Sequence, residues 1–401
     1  MLSAASVSQE HARWTDFRCE MAPPSTNCDG QTALLPATVV VDPSGGRHEG
    51  DSKVKTRKLR VGMIGAGGIS RVHCEGWSKL ADCQVVAIMD IRQEAARQRA
   101  EQFQIPSVEA TARRLIARKD IDAIDVVVPN KFHEPYTVAA LQAGKHVLCE
   151  KPLALTARQV DAMIAAAEKS RKKLMCAQHE RFAASSIALK EYLTKHPLGE
   201  VYYARAWYNR RRLLPVKPGF MYKKYSGGGC CIDIGVHILD LALWLMDNFE
   251  PVSVTGIGLT KLAKRPDAWS EWGQIDRKNI DVEDFAAGMI RMANGAALTL
   301  ECSFMLNQKP KAEQRIDLFG VRAGAKWPEC EYYDHTSHDY VDTKIEIRGK
   351  GELAHHAELR AFAEAVMGDR PVPVQPRQSR AVVAILEGLY KSDRRGKEVR
   401  I

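Results

Sequence analysis

The chain has 401 residues, 45% of them hydrophobic, and a formal charge of +9. That leaves room for two domains of ordinary size with sizeable cores. The positive charge is scattered, partly in Lys53–Arg60 and the tail Lys391–Arg400. Without an aromatic-interleaved basic motif, this reads as a solvated surface that attracts anionic small molecules rather than as a nucleic-acid face.

Residues 1–57 mix Pro, Ser, Gly and charge around one apolar patch, Ala37–Val41, and read as an irregular extension with at most one short element. The opening residues lack the apolar stretch and early basic cluster of a secretory signal. From residue 58 the pattern changes. Leu59–Ile64 is an apolar strand that runs into Gly65-Ala66-Gly67-Gly68-Ile69-Ser70 and an amphipathic segment carrying Trp77 and Leu80. A strand, a glycine turn and a helix N-terminus together form a cradle for a dinucleotide pyrophosphate. Gly65 permits the tight turn, and Gly67 lets backbone approach phosphate. Ser70 stands where the usual pattern has its third glycine.

Gln84–Met89 is a second buried strand ending at Asp90. An acid there accepts the adenosine ribose hydroxyls and repels a 2′-phosphate, which favours NAD over NADP. Arg92, two residues on, softens that preference. The alternative is a glycine turn of another α/β protein with a locally capping Asp. Strands over Ala123–Val128, His146–Cys149 and Lys173–Ala177 alternate with helices over His133–Ala143 and Thr156–Ser170. This alternation predicts a doubly wound parallel sheet over 58–178.

Beyond residue 179 the style changes. A helix over Ala183–Lys195, a strand over Glu200–Tyr208 and a polar loop with Pro215 and Pro218 lead to Gly227-Gly228-Gly229. An apolar helix follows over Ile232–Met246. Phe285–Met292 and Ala296–Phe304 flank Asn294-Gly295, a hairpin signal. Strands over Arg315–Phe319 and Thr343–Ile347 and closing helices over 354–367 and 378–391 complete an α/β domain, 179–401, with a large, mostly antiparallel open sheet. No run approaches ~18 apolar residues, so no membrane span is expected. Ten cysteines occur without a C-x-x-C pair, and several sit in apolar strands. Reduced thiols in a cytoplasmic protein fit that usage.

Two segments carry chemistry. Glu150-Lys151-Pro152 directly follows a parallel strand, at the sheet edge where ligands bind. A lysine there can reach a substrate over the nicotinamide and give or take a proton; the plainer reading is a surface lysine paired with Glu150. In Gly227–Asp240, Asp233 and His237 are four apart and would share a helix face. A carboxylate beside an imidazole suits proton removal from an alcohol, with Asp240 able to hold a ring N–H of His237. The same spacing admits a metal, although no third ligand is evident and none is expected. A satisfied core histidine is the remaining alternative. The run Tyr208-Asn209-Arg210-Arg211-Arg212 is a solvated charge run or part of a pocket for an anionic or hydroxylated substrate.

Over residues 58–401 the sequence resembles the Gfo/Idh/MocA family of NAD(P)-dependent oxidoreductases. The resemblance rests on Gly65–Ser70, Pro129–His133, Ala143–Pro152, Gly227–Asp240 and Val282-Glu283-Asp284. It implies a Rossmann domain and a C-terminal domain whose sheet forms a homodimer or homotetramer interface. It implies hydride transfer between the nicotinamide and a sugar, cyclitol or sugar derivative. Lys151, Asp233 and His237 then match the family's catalytic trio, and Asn130, His133 and Glu150 match cofactor-lining positions beside Gly65, Ala66, Gly67, Gly68, Ile69, Asp90 and Arg92. His179 and Arg181 become substrate-pocket candidates with Tyr208 and Arg210, against a structural salt bridge for Arg181. Two rivals use the same cofactor. One is redox-neutral glycoside hydrolysis or elimination through transient sugar oxidation. The other is a dinucleotide-binding sensor without turnover.

Overall fold

Leu59–Ile64 and its neighbours are apolar on both faces, as strands covered from both sides must be. The computed structural model describes residues 37–41, 57–347 and 351–401. Most of the extension expected over 1–57 therefore lies outside the described residues. Its apolar patch is a strand, β1 (Ala37–Val41).

The first sheet contains β2 (Leu59–Ile64), β3 (Cys83–Met89), β4 (Ala123–Val126), β5 (His146–Glu150) and β6 (Leu174–Ala177), all parallel, in the order β3-β2-β4-β5-β6. The order reverses at β2, with β3 on one side and β4 on the other. Ligands of such sheets bind outside the carboxyl ends of the strands at this switch point.

The second sheet has ten strands. They are β1, β7 (Val201–Arg210), β8 (Pro251–Leu259), β9 (Phe285–Met292), β10 (Ala297–Ser303), β11 (Ala312–Gly320), β12 (Gly324–Trp327), β13 (Glu331–His335), β14 (Tyr340–Ile347) and β15 (Val399–Arg400). The order is β1-β14-β13-β12-β11-β7-β10-β9-β8-β15, antiparallel except at β1–β14 and β7–β10. The Asn294-Gly295 signal marks the β9–β10 hairpin, with Gly295 at φ +88°. One face of the sheet, including Ala204, Ala206, Val254, Ile290, Leu298 and Leu300, buries with the helices Val236–Met246 and Pro376–Arg395.

One apolar run needs an account, and one expectation needs correction. By length and composition the helical run Lys223–Met246 is apolar enough to cross a membrane, but it is buried as the core helix of the second domain. The helix Ala354–Met367, expected to close the C-terminal domain, instead packs on the helix Gly68–Ser78. Its Leu359 and Phe362 join the core of the first domain, with Phe362 edge-on to Trp77 at 6.5 Å. The eight described cysteines are free and buried. Burial pushes the Cys74 thiol up to about 12, so it stays protonated and unreactive.

Candidate active site

The glycine turn has the expected backbone. Gly65 sits at φ +114°, where a Cβ would collide with the Val127 carbonyl oxygen, and space is open above Gly67. The Ser70 hydroxyl donates to the Gly67 carbonyl at 2.6 Å, so this serine braces the turn. The Asp90 carboxylate accepts the Ala66 N–H at 2.7 Å and the Arg92 N–H at 2.8 Å. Each oxygen keeps a second lone pair for a ribose hydroxyl. These groups open onto a cavity of about 740 Å³ that Gly65, Gly67, Asp90, Arg92, Val128 and Tyr225 help to line. A glycine-walled cavity at a helix N-terminus, with an acid beside the turn, fits a dinucleotide. Ile69 mainly packs against the first core, and Gly68 is exposed at the start of the helix.

Three positions matched to the cofactor turn out to support the walls instead. His133 is fully buried, with Nδ1 2.7 Å from the Pro152 carbonyl oxygen and Nε2 2.8 Å from that of Val128. It ties the end of β4 to the segment after β5, and no ring atom is left for a ligand. Asn130 donates through Nδ2 to the Ser226 carbonyl at 2.8 Å and so joins the two domains. Glu150 is buried: Oε1 lies 3.0 Å from His73 Nε2, and Oε2 accepts the Lys151 N–H at 3.0 Å.

His73 is the hub of a network that sequence reasoning missed. Its Nδ1 lies 2.9 Å from Asp125 Oδ2, which also accepts the Trp77 indole N–H at 2.8 Å. Burial alone would lower His73, but the Asp125 and Glu150 carboxylates outweigh it and hold the imidazole well above 6.5. Burial alone would raise Glu150; His73 outweighs it, helped by Lys151, and the carboxyl falls to about 2. The apolar strands and the amphipathic segment with Trp77 pointed to a covered sheet here. Nothing local marked His73 as the partner of two carboxylates 52 and 77 residues away.

Lys151 and Asp233 meet across the domains. Lys151 Nζ donates to Asp233 Oδ1 at 2.9 Å and to the Asp233 carbonyl at 2.8 Å. Asp233 lies in a wide π-helical turn, Cys231–Gly235, that feeds the helix Val236–Met246. Such turns interrupt the regular helix and often mark functional sites. Asp233 therefore pairs with Lys151 rather than with His237. Glu283 holds the turn in place: its carboxyl accepts the Gly229 and Cys231 N–H groups at 2.9 and 3.0 Å and the Tyr390 hydroxyl at 2.7 Å. Gly229 has to be glycine, because a Cβ would strike the Glu283 carbonyl oxygen.

His237 is buried, and its Nδ1 has no partner among the described residues. Burial, then the Lys151 charge and neighbouring histidines, hold it well below 6.5, so it is neutral at ordinary pH. His179 meets it edge-on at 4.7 Å and stacks on His355 at 3.7 Å, making a row of three imidazoles. His355 was not legible as part of this site. It comes from the helix that crosses into the first domain.

Arg181 and Asp240 are reassigned. Arg181 is buried and donates to Asp240 through Nε at 2.6 Å and Nη2 at 2.7 Å, and to Gln378 at 2.8 Å. Its fork is filled, so it is the structural ion pair and not a substrate ligand, and Asp240 does not orient His237. Arg210 stacks between Tyr208 and Trp272, at 4.9 and 5.1 Å from the ring centres, and its charge reaches His237. Arg212 is spent on the Arg211 carbonyl and on Asn307. Among the described residues no group of three or more His, Cys, Asp or Glu is arranged to hold a metal.

A dinucleotide cavity at a Rossmann switch point, with a Lys–Asp pair and a neutral histidine where the second domain meets β5, defines a nicotinamide-dependent oxidoreductase. Residues 59–178 match an oxidoreductase family model with an NAD-binding Rossmann fold, and residues 187–326 match the GFO/IDH/MocA C-terminal domain. The chain belongs to the Gfo/Idh/MocA family. It is 32% identical over 352 residues to D-glucoside 3-dehydrogenase of Escherichia coli (strain K12), covering 87% of this chain and 99% of that one. It is 30% identical over 265 residues to myo-inositol 2-dehydrogenase of Thermotoga maritima (strain ATCC 43589 / DSM 3109 / JCM 10099 / NBRC 100826 / MSB8), covering 66% and 73%. The fold is similar to that of a levoglucosan dehydrogenase solved with NADH and L-sorbose, with a TM-score of 0.76 at 22% identity over 86% of this chain and 99% of that one.

Proposed function

We propose that this protein is an NAD-dependent dehydrogenase that oxidises a secondary alcohol of a sugar, cyclitol or sugar derivative, with glucosides the foremost candidates. The observation that carries the reading is the neutral, buried His237 near the Lys151–Asp233 pair, at the carboxyl end of the nucleotide-binding sheet. Gly65, Gly67 and Asp90 would hold NAD, which would supply the hydride acceptor. His237 takes the hydroxyl proton through Nε2, since Nδ1 is buried. Lys151 already donates to two oxygens of Asp233, which fix its position, and one N–H is left to donate to the developing alkoxide. His179 meets His237 and the Arg210 charge reaches it, with Tyr208 stacked on Arg210; His179 and Arg210 supply donors for neighbouring hydroxyls.

The names of the relatives support the substrate class, since the glucoside, inositol and levoglucosan enzymes are all dehydrogenases. They favour net oxidation over redox-neutral glycoside cleavage. The uncovered face of the second sheet, where Ile257 and Met289 are exposed, supports a homodimer or homotetramer through that sheet. Free buried thiols support a cytoplasmic setting.

The test is a screen of the full chain with NAD and a panel of glucosides, free sugars and cyclitols, read by NADH formation and by product chromatography. The reading expects NADH with at least one of them. Lys151→Met should then cut kcat by about a hundredfold or more while NADH affinity stays within a few-fold. Aglycone release without NADH would establish the redox-neutral rival. A Lys151→Met enzyme within a few-fold of wild type would remove Lys151 from the chemistry.

A further inference from the structure

The loop between β7 and the glycine run crosses from the second domain to the nucleotide cavity. Its Pro218, Gly219 and Tyr225 line that cavity together with Gly65 and Gly67. The loop is held at both ends. Leu213 N–H donates to the Phe304 carbonyl at 3.1 Å, and the Ser226 carbonyl accepts from Asn130 of the first domain at 2.8 Å. Between these anchors Lys217 is exposed, yet it points inward over the glycine turn. A methyl group placed on Gly68 would lie 3.5 Å from Lys217 Nζ. Among the described residues Lys217 has no carboxylate partner and no hydrogen-bond acceptor.

This placement gathers several positive groups at one point. Gly68 begins the helix Gly68–Ser78, and its free N–H groups make that end positive. Arg99 adds a second cation, donating to the Gly67 carbonyl at 3.3 Å and the Ser70 hydroxyl at 3.1 Å. An ammonium beside a positive helix end is repelled unless an anion lies between them. A pyrophosphate carries two negative charges and belongs at this helix end.

We propose that Lys217 is the phosphate-binding cation of the cofactor site, supplied by the second domain. It pairs with the pyrophosphate of NAD against the N-terminus of the helix Gly68–Ser78. Bound nucleotide thereby fastens the loop Leu213–Ser226 to the first domain, and the nucleotide leaves only as that contact breaks. The sugar specificity plays no part in this inference; it needs only that the chain binds NAD.

The experiment compares wild type, Lys217→Ala and Lys217→Arg in the full chain by NADH fluorescence titration and stopped-flow release, with no turnover required. Lys217→Ala should weaken NADH about five- to twentyfold, mostly through faster release, and Lys217→Arg should recover most of it. Raising salt from roughly 0.05 to 0.5 M should weaken wild-type binding more than that of the Ala variant. Adenosine, which lacks phosphate, should bind both equally. NADH affinity within twofold of wild type in Lys217→Ala would overturn the proposal, and so would an equal loss for adenosine, which would mark a structural defect. A wild-type chain that binds no NADH at all would overturn the cofactor reading and this one with it.

Discussion

Replacing His73 by leucine tests the buried charge network at its hub. The imidazole lies between Asp125 and Glu150, and all three are buried. Leucine leaves Asp125 with the Trp77 indole and Glu150 with the Lys151 N–H, but neither carboxylate retains a buried cation in contact. Two routes give the size of the loss. Lowering Glu150 from 4.5 to about 2 corresponds to about 3 kcal/mol of native-state stabilisation. Breaking a buried ion pair by removing one partner costs about 3–5 kcal/mol. We expect His73→Leu to lose about 3–5 kcal/mol at neutral pH by urea denaturation, with no change in slope. The sign of the pH dependence follows from the carboxylate. The Glu150 contribution is complete above its unfolded value of 4.5 and is lost as pH falls towards about 2. Wild type and variant should therefore converge between pH 4.5 and the acid limit. A loss under about 1 kcal/mol at pH 7, or a gap that widens on acidification, would refute the ion-pair account. Turnover should fall too, because Glu150 also positions the backbone of Lys151.

The remaining predictions concern the site and its supports. His237→Asn should lower kcat by about 10²–10⁴ with NADH affinity unchanged. Because burial and nearby positive charge hold His237 below 6.5, the acid limb of wild-type kcat/KM should lie below pH 6.5; a limb above it contradicts His237 as the base. Arg181→Leu leaves Asp240 buried and unpaired and should cost about 3–5 kcal/mol in denaturation, largely restored by adding Asp240→Leu. No restoration would mean that Arg181 does more than neutralise Asp240. Asp90→Ala takes away the carboxylate beside Arg92 and should raise the ratio of kcat/KM for NADP over NAD by about tenfold or more; an unchanged ratio removes Asp90 from cofactor choice.

What was legible in the sequence was mostly a demand on the backbone. Gly65, Gly229 and Asn294-Gly295 stand where a positive φ, a close approach or a hairpin admits few other residues. Apolar runs between such marks show where strands lie. Partnerships between distant side chains left no such trace. Asp233 and His237 at i, i+4 predicted a shared helical face, but the π-helical turn redirects Asp233 to Lys151, 82 residues away. Asp240, three residues beyond His237, was expected beside it, and the structure gives it to Arg181. Val282-Glu283-Asp284 stood out without a reason; the reason is that Glu283 caps two N–H groups of the glycine segment and meets Tyr390. Periodicity reports which face is buried, not which polar groups meet there.

The helix Ala354–Met367 has a consequence for how the chain is made. Leu359 and Phe362 fill the core of the first domain, alongside residues as early in the chain as Leu59. On the ribosome the nucleotide-binding half therefore cannot finish its interior until Leu359 and Phe362 have emerged. The same helix brings His355 to His179 beside His237, so completing that core and assembling the histidine row are one event. A chain cut short after β14 would lose both together. The two halves are not interchangeable modules: a graft from a relative would have to carry the late helix along with the early sheet.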